Sequence, residues 1–109
     1  MASSVPHELS SVYGTLTASG DTTIIAAPAS GSHLVISTLI LQNTTAVATT
    51  ALVKAGSAVC FRVLAQNQGD GLILSFPAGR EFVLPNATAL IVNLSGANSF
   101  GYSVHYRIE

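Results

Sequence analysis

From residue 21 to residue 109 the chain is a succession of short apolar, β-prone runs separated by small turn residues, and no stretch holds a helical apolar spacing for longer than a turn. The runs cover residues 12–17, 22–26, 33–42, 49–55, 58–64, 72–76, 81–84, 89–94 and 102–108, with room for one brief helical turn only at 46–51. Eight or nine strands at this spacing predict an all-β chain folded as a single jelly-roll-like antiparallel β-sandwich. The punctuation agrees. Ser19-Gly20-Asp21 and Ala55-Gly56-Ser57 are tight-turn sequences, and Gln66-Asn67-Gln68-Gly69-Asp70-Gly71 is a longer polar loop tip. Pro28, Pro77 and Pro85 all fall between runs, where a missing N–H interrupts no ladder.

Residues 1–11 are small and polar, and Pro6 opposes regular pairing, so they are expected to form an N-terminal arm ahead of a sandwich domain over 12–109. Such an arm contributes little to a core and is suited to lying along a neighbour.

The period of two assigns faces. In the last run Tyr102, Val104, Tyr106 and Ile108 share one face, with Ser103, His105 and Arg107 on the other, which describes a half-buried strand. Strict alternation through 34–42 puts Leu34, Ile36 and Ile40 on one face and Val35, Leu39 and Leu41 on the other. A strand apolar on both faces must be covered on both. One face meets the core, so Val35, Leu39 and Leu41 are expected to form an interface with another copy of the chain.

The bulk properties point the same way. Only 8% of the 109 residues are charged, the net charge is −1, and the mean hydropathy is +0.53. Charge is what ordinarily keeps soluble surfaces apart, so part of this surface is expected to be covered by protein. Lys54, Arg62, Arg80 and Arg107 are scattered, which leaves no basic patch for a phosphate backbone and argues against nucleic-acid binding. No apolar run approaches the roughly 20 residues of a membrane helix. The opening Met-Ala-Ser-Ser-Val-Pro-His-Glu-Leu lacks the basic cluster and apolar stretch of a secretory signal, so the chain is expected to stay in the cytosol where it is made.

Chemistry-bearing residues are few. His7, His33 and His105 are the only histidines, and Glu8, Asp21, Asp70, Glu81 and Glu109 the only carboxylates, too dispersed along the chain to suggest a metal site or an acid–base pair. Cys60 is the single cysteine, which excludes an intrachain disulfide; between Val59 and Phe61 in a strand it is expected to be a buried, inert thiol. Asp70 offers one carboxylate to its loop, too few for calcium. Asn43-Thr44-Thr45, Asn86-Ala87-Thr88 and Asn93-Leu94-Ser95 match the glycosylation pattern, and in a Ser/Thr-rich chain without a secretion signal they read as chance matches. Among the aromatics, most rings are expected in the core, with Phe100 and Tyr13, near strand ends, the least securely so. Neither an enzyme active site nor a cofactor site is expected.

Leu72-Ile-Leu-Ser-Phe-Pro-Ala-Gly, Phe82-Val-Leu-Pro, Ala89-Leu-Ile-Val-Asn-Leu-Ser and the closing Tyr102-Ser-Val-His-Tyr-Arg-Ile, in that order, resemble the small all-β virion proteins of tailed bacteriophages. Thr22-Thr-Ile-Ile-Ala-Ala-Pro-Ala-Ser-Gly-Ser-His-Leu-Val-Ile-Ser is similar to the opening strand pair of the same proteins, and together these segments span about two thirds of the chain. The resemblance implies a non-enzymatic virion component: a head decoration (cement) protein held by the major capsid protein, or else part of a tail fibre or spike that contacts the host surface. It also implies a symmetric homo-oligomer, a trimer in the usual case. A short chain with an arm and no shaft-like repeat suits a capsid clamp better than a long fibre. A glycan-processing or metal-dependent jelly-roll enzyme is the reading least supported, because the His and carboxylate cluster it needs is missing.

Overall fold

The computed structural model describes residues 9–109, and the statements below concern those residues. The strands are β1 (Ser10–Leu16), β2 (Gly20–Ile25), β3 (Leu34–Asn43), β4 (Thr49–Ala55), β5 (Ala58–Ala65), β6 (Gly71–Ser75), β7 (Phe82–Val83), β8 (Leu90–Leu94) and β9 (Phe100–Ile108). All nine expected runs are strands, with ends displaced by at most two residues. Ser10 and Ser11 already pair with Tyr106 and His105, so the expected arm gives its last two residues to β1. Residues 1–8, including Pro6, His7 and Glu8, lie outside the described residues.

Two antiparallel sheets form a sandwich. Sheet A has the order β1-β9-β3-β6, with β7 also pairing β3; sheet B has the order β2-β8-β4-β5. The pairs β1·β9, β2·β8, β3·β6 and β4·β5 set the first half of the chain antiparallel to the second, as one long hairpin whose tip is the turn at Gly56. There Gly56 has φ 61°, the left-handed conformation that a two-residue hairpin turn requires. The pairs β9·β3 and β8·β4 then wrap this hairpin into two layers. Between the layers lies one core, with Leu34, Ile36, Leu39, Leu41, Phe100 and Val104 from sheet A against the buried side chains of sheet B. Full burial of each such side chain contributes about 1.5–3 kcal/mol, which suffices for a domain with no disulfide.

The faces of β3 depart from strict alternation. Ile36 pairs with Tyr106 and Thr38 with His105, so β3 carries one extra residue, Ser37, opposite β9. This β-bulge reverses the parity of everything after it. Leu39 and Leu41 therefore join Leu34 and Ile36 in the core, 0% and 1% exposed, and present nothing to another subunit. Ile40 takes the outer face instead. Val35 precedes the bulge and does lie outside the core cluster, beside Val83 and Arg107 in register, but the chain itself leaves it only 3% exposed.

Cys60 is corrected for the same reason. Phe61 pairs with Val53 and Val59 with Lys54, which makes Cys60 the extra residue of a second bulge, and its thiol is exposed. A third bulge at Ile24 lets Ile24 and Ile25, adjacent in sequence, both be buried.

Aromatic side chains close the long edges. Phe61 of β5 packs edge-on against Phe82 of β7 at 5.1 Å between ring centres, and Phe76 lies within 6.3 Å of both. At the opposite edge Gly14 makes room for a ring: a Cβ there would stand 2.8 Å from the Tyr102 hydroxyl. Phe100 is fully buried, whereas Tyr13 is 80% exposed.

Two ion pairs tie strands on the surface. Lys54 bridges to Asp21 at 3.0 Å, and Arg107 bridges to Glu81 at 3.1 Å while also donating to Glu109. Hydrogen bonds from Asn93 and then Lys54 hold the Asp21 carboxyl below its ordinary 3.8, and backbone N–H donation followed by the Arg107 contact holds Glu81 below 4.5. Depressed carboxylate values mean that this stabilisation is present above the ordinary values and is lost as pH falls through the folded-state values. Thermal unfolding should therefore move to lower temperature on acidification below about pH 4, and the shift should shrink in the Asp21→Asn, Glu81→Gln double variant. Solvent screens the half-exposed Asp21 pair, so a small effect is expected, most of it from Glu81, whose side chain is only 10% exposed.

Candidate functional site

Strand register builds a continuous surface on the outer face of sheet A. Tyr13 pairs with Ser103, Ser103 with Ile40 and Ile40 with Ile73, so these four residues form one row across β1, β9, β3 and β6. Its two ends protrude, Tyr13 at 80% and Ile73 at 74% exposure. The next row along the strands is Thr15, Gly101, Gln42 and Gly71. Glycines on either side of Gln42 contribute no side chain, so this row sinks below the first.

The result is a trough of two joined depressions that meet at Ile40 and Gln42. One, of about 380 Å³, lies between β3 and β6 and is walled by Ile40, Gln42, Gly71 and Ile73; the other, of about 320 Å³, runs from Tyr13 and Thr15 across Gly101 to Ser103. None of the residues lining either depression is charged. Phosphates, nucleotides and strongly charged peptides have no partner there. The surface offers one phenol ring, two aliphatic side chains, hydroxyls and one amide, a composition suited to an uncharged, partly apolar protein surface.

Gly71 is fixed for a second reason. A Cβ on it would lie 2.0 Å from the Leu41 carbonyl oxygen and 2.9 Å from Gln42 Cα, both backbone atoms of the paired strand. Gly71→Ala must open the β3·β6 ladder to fit. It is expected to cost about 3 kcal/mol, read as a lower urea midpoint with an unchanged slope.

Among the described residues the chemistry-bearing side chains do not converge. His33 Nδ1 donates to the Leu84 carbonyl at 3.0 Å, and its backbone exchanges hydrogen bonds with Glu109, so it serves the end of the β3·β9 ladder. His105 is exposed on the outer face of sheet A. Asp70 Oδ2 accepts from the Gln66 and Asn67 backbone amides at 3.1 and 2.9 Å, which makes it a turn-forming residue of its loop. Among the described residues no three of His, Cys, Asp and Glu gather in a way that could hold a metal ion, and no helix is long and apolar enough to cross a membrane.

Of the glycosylation matches, Asn43 is fully buried with both ends of its amide engaged, Asn93 donates to Asp21, and Asn86 accepts from the Gly31 amide. Sequence reasoning missed both the outer row and the Asn43 node. Knowledge of the Ser37 bulge would have placed Ile40 outside, but the row depends on pairing across four strands, which sequence alone does not register.

No known protein family matches the chain, and no curated protein is similar to it in sequence. Among solved structures, the fold is similar to the virus-like particle of extra small virus of the giant freshwater prawn Macrobrachium rosenbergii, with a TM-score of 0.46, 6% identity, and coverage of 97% of this chain and 82% of that one. It is also similar to PirA, with a TM-score of 0.38, 13% identity, and coverage of 97% and 96%. Both likenesses are too slight to bear on what the chain does.

Proposed function

We propose that this chain is a non-enzymatic structural protein of a virion, a jelly roll that decorates and stabilises a bacteriophage head as a symmetric homo-oligomer, a trimer by the resemblance of its strands to phage virion proteins. The jelly-roll reading is supported by the strand orders: with the two-residue β7 set aside, a long antiparallel hairpin is wrapped so that successive strand pairs alternate between the sheets. The observation that carries the functional reading is an uncharged trough on the outer face of sheet A, flanked by Tyr13 and Ile73, in a chain with only 8% charged residues. Surfaces of this kind are covered in use by other protein. The mechanism is mechanical: contacts across seams between capsid subunits resist their separation, and partners are the major capsid protein and further copies of this chain.

The test is composition and position in the particle. Mass spectrometry of purified virions should detect the chain at a stoichiometry matching capsid symmetry axes, and an image of the particle should place it on the head. Density at a fibre tip would favour the second reading, a receptor-binding domain of a tail fibre or spike, for which exposed Tyr13 on an uncharged trough is the favouring observation. Absence from virions would overturn both.

A further inference from the structure

We infer that the outer face of sheet A is a self-association surface, in which Tyr13 of one copy enters the depression between β3 and β6 of another. The inference deepens the proposed assembly role by naming the surface that performs it. A protrusion and a hollow lie on the same face. Tyr13 stands out from the edge strand β1, and the hollow of about 380 Å³ between Ile40 and Ile73 lies on the far side of the sheet. Between two and three strand spacings, about 12 Å, separate them. A surface that carries both halves of a contact can close on copies of itself, by a two-fold axis or by a head-to-tail ring.

The chemistry matches as well. Both the ring and the hollow are uncharged, so neither side pays to desolvate an ion. Gly69 and Gly71 leave the hollow open to a flat ring, and Gln42 beside them offers an amide to a phenol hydroxyl. Aromatic side chains seated in such pockets are the usual anchors of protein interfaces. Size follows from the strands: β1, β9, β3 and β6, of seven, nine, ten and five residues, at about 3.4 Å per residue and about 4.8 Å between strands give about 500 Å² in projection. Two such faces bury about 1,000 Å² before side-chain relief is counted, the size at which a biological interface begins.

The experiment is light-scattering mass of the purified full chain at micromolar concentration, for the wild type, Tyr13→Ala, Ile73→Glu and, as a control on the opposite sheet, Thr23→Glu. The expected result is a multiple of the 11.2 kDa chain mass for the wild type and Thr23→Glu, and the single-chain mass for Tyr13→Ala and Ile73→Glu. Both of those side chains are mostly exposed, so thermal unfolding should remain cooperative in each variant. A single-chain mass for the wild type overturns the inference, as does retention of the oligomer by either sheet A variant. A wild-type monomer whose Tyr13 and Ile40 resonances move on addition of a neutral oligosaccharide would assign the trough to a ligand instead and likewise overturn it. Detection in virions tests the assembly role separately, so a wild-type monomer found on virions would remove this contact and leave that role standing.

Discussion

Leu39→Asp is expected to leave the chain unfolded at neutral pH rather than folded and dissociated. Leu39 is 0% exposed and sits in the middle of β3, paired with Val104 on one side and Leu74 on the other. Removing a buried leucine side chain costs about 3–5 kcal/mol. Placing a carboxyl group in the same space adds several more, whether the group stays ionised without a partner or takes up a proton. The sum is comparable with the about 5–15 kcal/mol that holds an ordinary domain together. Circular dichroism should show loss of the β signal, with no cooperative transition on heating. A folded Leu39→Asp monomer would mean that Leu39 faces a partner and that the Ser37 bulge is misplaced. The contrast with Ile73→Glu is the useful one. Both add a carboxylate to sheet A, but on opposite faces, so one should destroy the fold and the other only the association.

That contrast also marks where the sequence was legible. Strand positions follow from properties local to the chain: apolar alternation, and Gly, Pro and Asp between runs, each of which acts on its own residue's backbone. All nine strands were readable for that reason. Which side chains face inward is a cumulative property, since one inserted residue reverses every assignment beyond it. The Ser37 bulge exchanged Leu39 and Leu41 with Ile40, and the Cys60 bulge turned a thiol outward. A trace of the first bulge is present in the sequence. The apolar parity of β3 is even at Leu34 and Ile36 and odd at Leu39 and Leu41, and the change falls at Ser37-Thr38, the two polar residues between them. Two adjacent polar residues inside an apolar strand suit a bulge, because one of them has no place in the ladder. The Cys60 bulge leaves no such trace, since Val59, Cys60 and Phe61 are all apolar. The outer row of Tyr13, Ser103, Ile40 and Ile73 joins residues up to 90 positions apart, and nothing local fixes which strands become neighbours.

Asn43→Leu is the second substitution expected to have a large effect. Asn43 is fully buried at the end of β3, and its side chain fastens three segments together. Nδ2 donates to the carbonyls of Val47 at 2.9 Å and Ala65 at 3.4 Å, while Oδ1 accepts from the Thr45 amide at 3.1 Å and the Thr45 hydroxyl at 3.0 Å. Its own backbone pairs with Asp70 and Gly69, which brings in the loop before β6. Leucine fills the same volume but satisfies none of these groups. Val47 O retains the Thr49 hydroxyl, whereas the Thr45 amide loses the acceptor that Asn43 supplied. Each buried group left unpaired costs about 1–3 kcal/mol, so a loss of about 3 kcal/mol is expected, or about 15 °C in the unfolding temperature of a domain this size. Asn43→Asp separates polarity from size. It keeps the acceptor for Thr45 but loses both donated bonds and buries a charge beside two carbonyl oxygens, so at neutral pH it should be less stable than Asn43→Leu. Burial raises the folded-state value of that carboxyl above its unfolded value, so the penalty should ease as pH falls and the group takes up a proton. Urea unfolding of the two variants at neutral and acid pH makes the comparison. Equal stability of both variants with wild type would show that the end of the sandwich is held by backbone pairing alone, without the Asn43 side chain.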